Sequence, residues 1–167
     1  TEALQQGRIG DFDAMVARFQ QTSMRIKYAL VPVVAAIKGM VFGGGCEFQM
    51  HSARTVAALE SYVGLVEAGV GLLPAGGGLK EFALRAAQWA NGGDLMPNLQ
   101  KVFQAVAMAT VSTSALDAKD IGLLRPNDVV VFNAFELLYV ARNEAKALAE
   151  SGYRPPLASR QIAVAGD

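Results

Sequence analysis

Apolar positions in this chain change period several times, and each change predicts an element. Behind Asp11, a plausible N-cap, Phe12, Met15, Val16, Phe19 and Ile26 recur at helical spacing, and the pattern ends before Val31-Pro32. Val33 to Ile37 is a continuous apolar run between Pro32 and Lys38-Gly39, which predicts a strand buried on both faces in a parallel sheet covered by helices. A helix is expected to begin inside Gly43-Gly44-Gly45 and run through Met50, followed by a short strand from Arg54 to Leu59. Val66 to Gly78, rich in glycine and holding Pro74, reads as a structured loop with short helical turns. Helices are predicted from Leu79 to Trp89, stopped by Asn91-Gly92-Gly93, and from Pro97 to about Ala109. Ser114 to Asp117 resembles a capping box for a short helix ending at Gly122. A last strand is expected over Val129 to Phe132, then a long helix from Ala134 to Glu150 with Phe135, Leu138, Tyr139, Ala145 and Leu148 available for packing. Past Gly152, Pro155-Pro156 marks an extended tail, so residues 1–151 form the expected domain and 152–167 a tail or linker.

Composition narrows the class. A chain of 167 residues, 52% apolar and 18% charged, has room for one domain with a sizeable core. Fifteen basic residues balance fifteen acidic ones, which argues against an electrostatic footprint for nucleic acid or anionic lipid. The longest uncharged stretch, Val102 to Leu116, is too short and too polar to span a membrane, and no secretory apolar region opens the chain. Cys46 is the single cysteine, so an internal disulfide and a multi-thiolate metal site are both excluded, and a reducing, cytoplasmic compartment fits.

Ten of the seventeen glycines lie between Gly39 and Gly78, which directs attention there. The phosphate-binding loop, the dinucleotide fingerprint and the Gly-x-Ser-x-Gly elbow are all absent from this region. The only histidine, His51, has no neighbour at metal-ligand spacing, and it reads as a helical histidine without special function. What remains is a glycine-lined helix start near Gly44, whose first N–H groups lack intrahelical acceptors, and two acids, Glu47 and Glu67, with apolar flanks. A backbone N–H free of a neighbouring Cβ can hold an oxyanion, and partly desolvated carboxyls suit acid–base chemistry. The same residue types also suit an ordinary first-turn glutamate and a surface acid, and residue types alone favour that plainer reading.

The string Val31 to Glu47 (Val-Pro-Val-Val-Ala-Ala-Ile-Lys-Gly-Met-Val-Phe-Gly-Gly-Gly-Cys-Glu) resembles the signature of the crotonase, or enoyl-CoA hydratase/isomerase, superfamily. Val66 to Gly78 is similar to its second signature, Ala115 to Leu124 to the stretch before that fold's last helices, and Ala58 to Glu67 to the hydratase domain of bacterial chains that also carry a 3-hydroxyacyl-CoA dehydrogenase. The resemblance implies an α/β fold, a crotonase-like spiral of strand–strand–helix units with a helical C-terminal part. It also implies Gly44 as one of two oxyanion donors, and Glu47 and Glu67 as the acids that hold the water of hydration. Phe42, Gly43, Gly44 and Pro74 are then expected at the substrate, a coenzyme A thioester, with no metal and no permanently bound cofactor. The implied reaction is reversible syn addition of water to a trans-2-enoyl-CoA in fatty-acid β-oxidation. An isomerase of the same fold and a non-catalytic acyl-CoA-binding or assembly domain are the alternatives.

The family's other oxyanion donor and its opening strands are expected to precede position 1, so the spiral reads as incomplete at its N-terminus and the chain as part of a longer polypeptide. The sheet around Val33 to Ile37 is then expected to keep an unprotected edge or face, covered by self-association as a homo-oligomer or by other parts of the parent chain.

Overall fold

A computed structural model describes Gly7 and residues 9–159 and 161–165. Helix α1 (Ile9–Lys27) is followed by strand β1 (Val34–Phe42), helix α2 (Gly44–His51), strand β2 (Arg54–Gly64) and a 3-10 turn (Glu67–Val70). Helices α3 (Gly78–Ala90), α4 (Met96–Ala107) and α5 (Ala115–Ile121) lead to strand β3 (Val129–Val131). A second 3-10 turn (Ala134–Glu136) then opens helix α6 (Leu137–Glu150). The predicted helix stops are present as backbone geometry: Asn91 and Gly122 take left-handed conformations after α3 and α5, and Ser114 Oγ accepts the N–H of Asp117.

The three strands pair in parallel in the order β1-β2-β3. The central strand β2, and not β1, is the one buried on both faces. Ala57 and Val63 join the main core with Cys46, Met50, Leu65, Phe82 and Val106, while Val56 and Ala58 pack against Val131, Leu137 and Ala141 of β3 and α6. The expectation of burial on both faces for Val33 to Ile37 is corrected accordingly. Strand β1 lies at the sheet edge, so of its residues only Ile37 is buried, and Met40 is 77% exposed.

Both strands also run further than their apolar runs suggested. Pairing between β1 and β2 continues past an irregularity at which Ile37 pairs with Ala57 but Gly39 pairs with Ser61. Gly39 adopts φ +64°, and the Ser61 hydroxyl donates to the Ala58 carbonyl at 2.7 Å, satisfying a group the interrupted ladder would leave open. The second half of β2 thereby reaches Gly64, which places the glycine-rich segments after β1 and β2 side by side.

Two further expectations are corrected. Met15 is exposed, and the buried point of α1 is Ser23. Phe135, Leu138 and Tyr139 face outward at 98%, 74% and 70% exposure, and α6 packs through Leu137 and Ala141 instead. The apolar residues of that helix cover more than one side, and the sheet takes only the side carrying the smaller alanine.

Helix α2 is fixed at its C-terminal end by Arg85 of α3. This buried guanidinium donates to the carbonyls of Gly122 at 2.6 Å, Leu123 at 3.0 Å and Met50 at 3.2 Å. Burial lowers its pKa to about 10, which still leaves it charged at neutral pH. Replacing Arg85 with Met removes all three donors while keeping most of the side-chain bulk. The expected loss is on the order of 3 kcal/mol, read as a lower denaturant midpoint at an unchanged slope.

Candidate active site

Strand β1 hands over to α2 at Gly43, whose φ of +52° and ψ of −125° no L side chain adopts readily. Its N–H donates to Gly64 O at 3.0 Å, binding the turn to the end of β2. Four residues on, Glu47 lies in the first turn of α2 and is almost wholly buried at 1% exposure, so it is not an ordinary solvated first-turn acid. Its Oε1 accepts the N–H of Gly78, the first residue of α3, at 2.8 Å. Gly76 presses on the same carboxylate: a Cβ there would stand 2.5 Å from Glu47 Oε2. Side-chain-free backbone is therefore a steric requirement of the contact.

Glu67 opens the 3-10 turn after β2 and is half-buried. Its Oε1 would lie 3.3 Å from a Cβ on Gly43, which sets it against the start of α2. Its Oε2 is buried and has no hydrogen-bond partner among the described residues. Burial pushes the Glu47 carboxyl above the usual carboxylate range, the Gly78 N–H pulls it back, and the charge on Glu67 raises it again. Glu67 is likewise raised by burial. Two neighbouring carboxyls that both hold protons more tightly than usual suit a pair that gives and takes a proton.

The remaining expected residues are distributed unevenly. Gly44 begins α2, Phe42 ends β1, and both are half-buried, whereas Pro74 is fully buried. The ring of Phe19 from α1 lies beside Gly44. A Cβ on Gly44 would meet Phe19 Cζ at 2.8 Å, and one on Gly76 would meet Cε1 at 2.0 Å. Phe19 also packs edge-on against Phe48 of α2, with ring centroids 4.8 Å apart. Its helical spacing marked it only as a packing residue, and nothing in the sequence distinguished it from Val16 or Ile26.

An apolar cavity of about 610 Å³ adjoins the turn that carries Glu67, lined by Ala68, Leu73, Leu79, Phe82, Met96 and Phe103 among others. A sequence model of the enoyl-CoA hydratase/isomerase family matches residues 1–161. The chain belongs to that family. Among relatives, a probable 3-hydroxyacyl-CoA dehydrogenase of Bacillus subtilis (strain 168) is 42% identical over 157 residues, covering 94% of this chain and 20% of the relative. A putative fatty acid oxidation complex trifunctional enzyme of Rickettsia felis is 39% identical over 83 residues, covering 50% of this chain and 12% of the relative. The chain thus spans about a fifth or less of these relatives. The crystal structure of an enoyl-CoA hydratase from Bacillus anthracis superposes with a TM-score of 0.65 over 84% of this chain and 48% of that one, at 24% identity. The enoyl-CoA hydratase/isomerase fold is shared as well with a carnitinyl-CoA dehydratase from Mycobacterium avium 104, at 28% identity and a TM-score of 0.53 over 71% of this chain and 40% of that one.

The acids of this family member leave a signature in its stability. A carboxyl whose pKa is raised by folding binds its proton more tightly in the folded state, so it costs nothing below the unfolded value of about 4.3 and destabilises as pH rises through the folded value. Glu67→Gln removes that cost. It is expected to melt higher than the parent at pH 7, with the difference closing as the pH is lowered towards about 4 in a series of thermal melts.

Proposed function

We propose that this chain is the enoyl-CoA hydratase part of a fatty-acid β-oxidation protein and catalyses reversible hydration of trans-2-enoyl-CoA to 3-hydroxyacyl-CoA. The observation that carries the reading is the pair of carboxyls with raised pKa, buried Glu47 and half-buried Glu67, at the glycine-started helix α2. One carboxylate takes a proton from the bound water as its oxygen attacks C3, and the other, protonated, delivers a proton to C2. Electron density pushed onto the thioester oxygen is held by the N–H of Gly44, at the positive end of α2, as one of two donors. Phe42 and Gly43 border the substrate at the end of β1, and the buried Pro74 supports the turn that presents Gly76 and Gly78.

The apolar cavity next to Ala68 supports an acyl substrate, since a hydrocarbon tail gains from leaving water. The chemistry needs no resident cofactor, and coenzyme A arrives as part of the substrate. No helix among the described residues is long and apolar enough to cross a membrane, and the reading carries with it a cytoplasmic location. The exposed edge strand β1 and the outward-facing Phe135, Leu138 and Tyr139 support coverage by a second copy or by other parts of a longer chain.

The test uses the longest natural polypeptide that contains this chain and follows loss of the conjugated enoyl-thioester absorbance. Glu47→Gln and Glu67→Gln are each expected to lower hydration by about 10²-fold or more with acyl-CoA binding retained. The double variant should cost much less than the product of the two, because both acids act on one water. An isomerase working through Glu67 alone would tolerate Glu47→Gln, and unchanged rates in both single variants would favour a binding or assembly domain.

A further inference from the structure

The last residue of α2, His51, stands one helical turn beyond Glu47 and is 2% exposed. Its Nδ1 lies 2.6 Å from the Glu47 carbonyl oxygen, and because a carbonyl only accepts, Nδ1 carries the hydrogen. The other ring nitrogen of the neutral imidazole is then a lone pair. It is buried, has no hydrogen-bond partner among the described residues, and lies 3.5 Å from Glu81 Oε1. That carboxylate oxygen is already held by Lys27 Nζ at 2.5 Å and Lys80 Nζ at 2.8 Å. The ring itself presses against the glycine turn: a Cβ on Gly77 would stand 2.9 Å from both Cε1 and Nε2. The next residue, Gly78, supplies the N–H that holds the Glu47 carboxylate.

We propose that His51 is a positioning residue for Glu47: it is hydrogen-bonded to the backbone of Glu47 on one side and wedged under Gly77 on the other, so it fixes the turn whose N–H orients the Glu47 side chain. The proposal rests on the reading of Glu47 as a catalytic acid. The contacts form a closed loop, from the Glu47 carbonyl through the imidazole to Gly77, then through the Gly78 N–H back to the Glu47 carboxylate. An i,i+4 histidine bond alone would only decorate a helix end. Here the same ring sets the spacing between the starts of two functional segments.

Protonation tests the wedge. The groups facing His51 are Glu47 on its own helix, Glu81 and Lys80 from α3 and Lys27 from α1, and Arg125, Tyr153 and Arg154 line the polar pocket it shares. Burial lowers its pKa below the ordinary 6.5, and the Glu47 carbonyl and Glu81 oppose that shift. The folded protein therefore binds this proton less tightly than the unfolded chain. The stability His51 confers is complete above about 6.5 and declines as the pH falls below it.

The experiment compares His51→Asn with His51→Leu in the longest natural polypeptide that contains this chain. Asn keeps a donor where Nδ1 stands, and Leu fills the space without one. His51→Leu is expected to lower kcat roughly tenfold or more at nearly constant KM, the scale of a misplaced catalytic group, and His51→Asn to recover most of the rate. His51→Asn should also lose the decline in melting temperature that the parent shows just below pH 6.5. Crystal structures supply a readout independent of turnover: the contact from Gly78 N to Glu47 Oε1 stays near 2.8 Å in His51→Asn and opens beyond hydrogen-bond reach in His51→Leu. If the parent does not hydrate enoyl-CoA, the functional reading fails, while that distance still decides the role of His51. Should His51→Leu keep the parental distance and kcat, or should both variants lose rate with the distance unchanged, the proposal is overturned. If His51→Leu does not fold, a lengthened contact in His51→Asn, where the donor is retained, overturns it equally.

Discussion

The N–H of Gly78 donates to the buried carboxylate of Glu47, and through that contact the first turn of α2 is fixed to the first residue of α3. Both ends sit at helix N-termini, where unpaired N–H groups and the positive end of the helix dipole favour a negative charge. The carboxylate therefore satisfies a backbone donor that burial would otherwise leave open, and the donor keeps the carboxylate from turning away. Much else is arranged to allow this approach. Gly76 has no room for a Cβ, Gly43 turns the chain with a backbone closed to other residues, and Arg85 grips the far end of α2. Losing the contact would free two helices together, because each is positioned partly by the other.

The electrostatic arrangement opposes stability. Two neighbouring acids in a partly desolvated space repel one another, and Glu67 has an oxygen with no hydrogen-bond partner among the described residues. A sequence selected for stability alone would place amides or apolar groups there. The polar network behind the site has the opposite character. Glu81 is held by two lysines, and despite the burial that would raise it, its carboxyl lies below the usual range because those cations dominate. Acids with raised pKa thus stand at the start of α2, and one neutralised acid, Glu81, stands near its end.

The glycine signatures are legible in the sequence because the packing constrains residue type directly: a Cβ on Gly76 would stand 2.5 Å from the Glu47 carboxylate, so only a residue without one fits. Helix ends were legible for a similar reason, since Asn91, Gly122 and Ser114 carry their conformational preferences with them. Strand extent was not. Lys38-Gly39 looked like an ending, and only pairing with β2 carries β1 on to Phe42. Nor could periodicity decide which apolar side of α6 meets the sheet, because a repeat identifies a face without saying what covers it. Spacing marks Phe19 only as a packing residue, and His51 reads as a helical histidine without special function. Their contacts with Gly44, Gly76 and Gly77 join segments 25 to 57 residues apart, a relation that spacing along one element does not contain.

The single cysteine follows directly after the glycine run, in the first turn of α2 and wholly inside the core. Burial pushes its thiol up to about 12, so almost none of it is thiolate at neutral pH. A thiol reagent must therefore wait for this helix to lift off the sheet, and the chain has no other sulfhydryl to consume it. The rate of alkylation becomes a clock for how often the start of α2 opens, measured at the helix that carries Glu47 and without any introduced label.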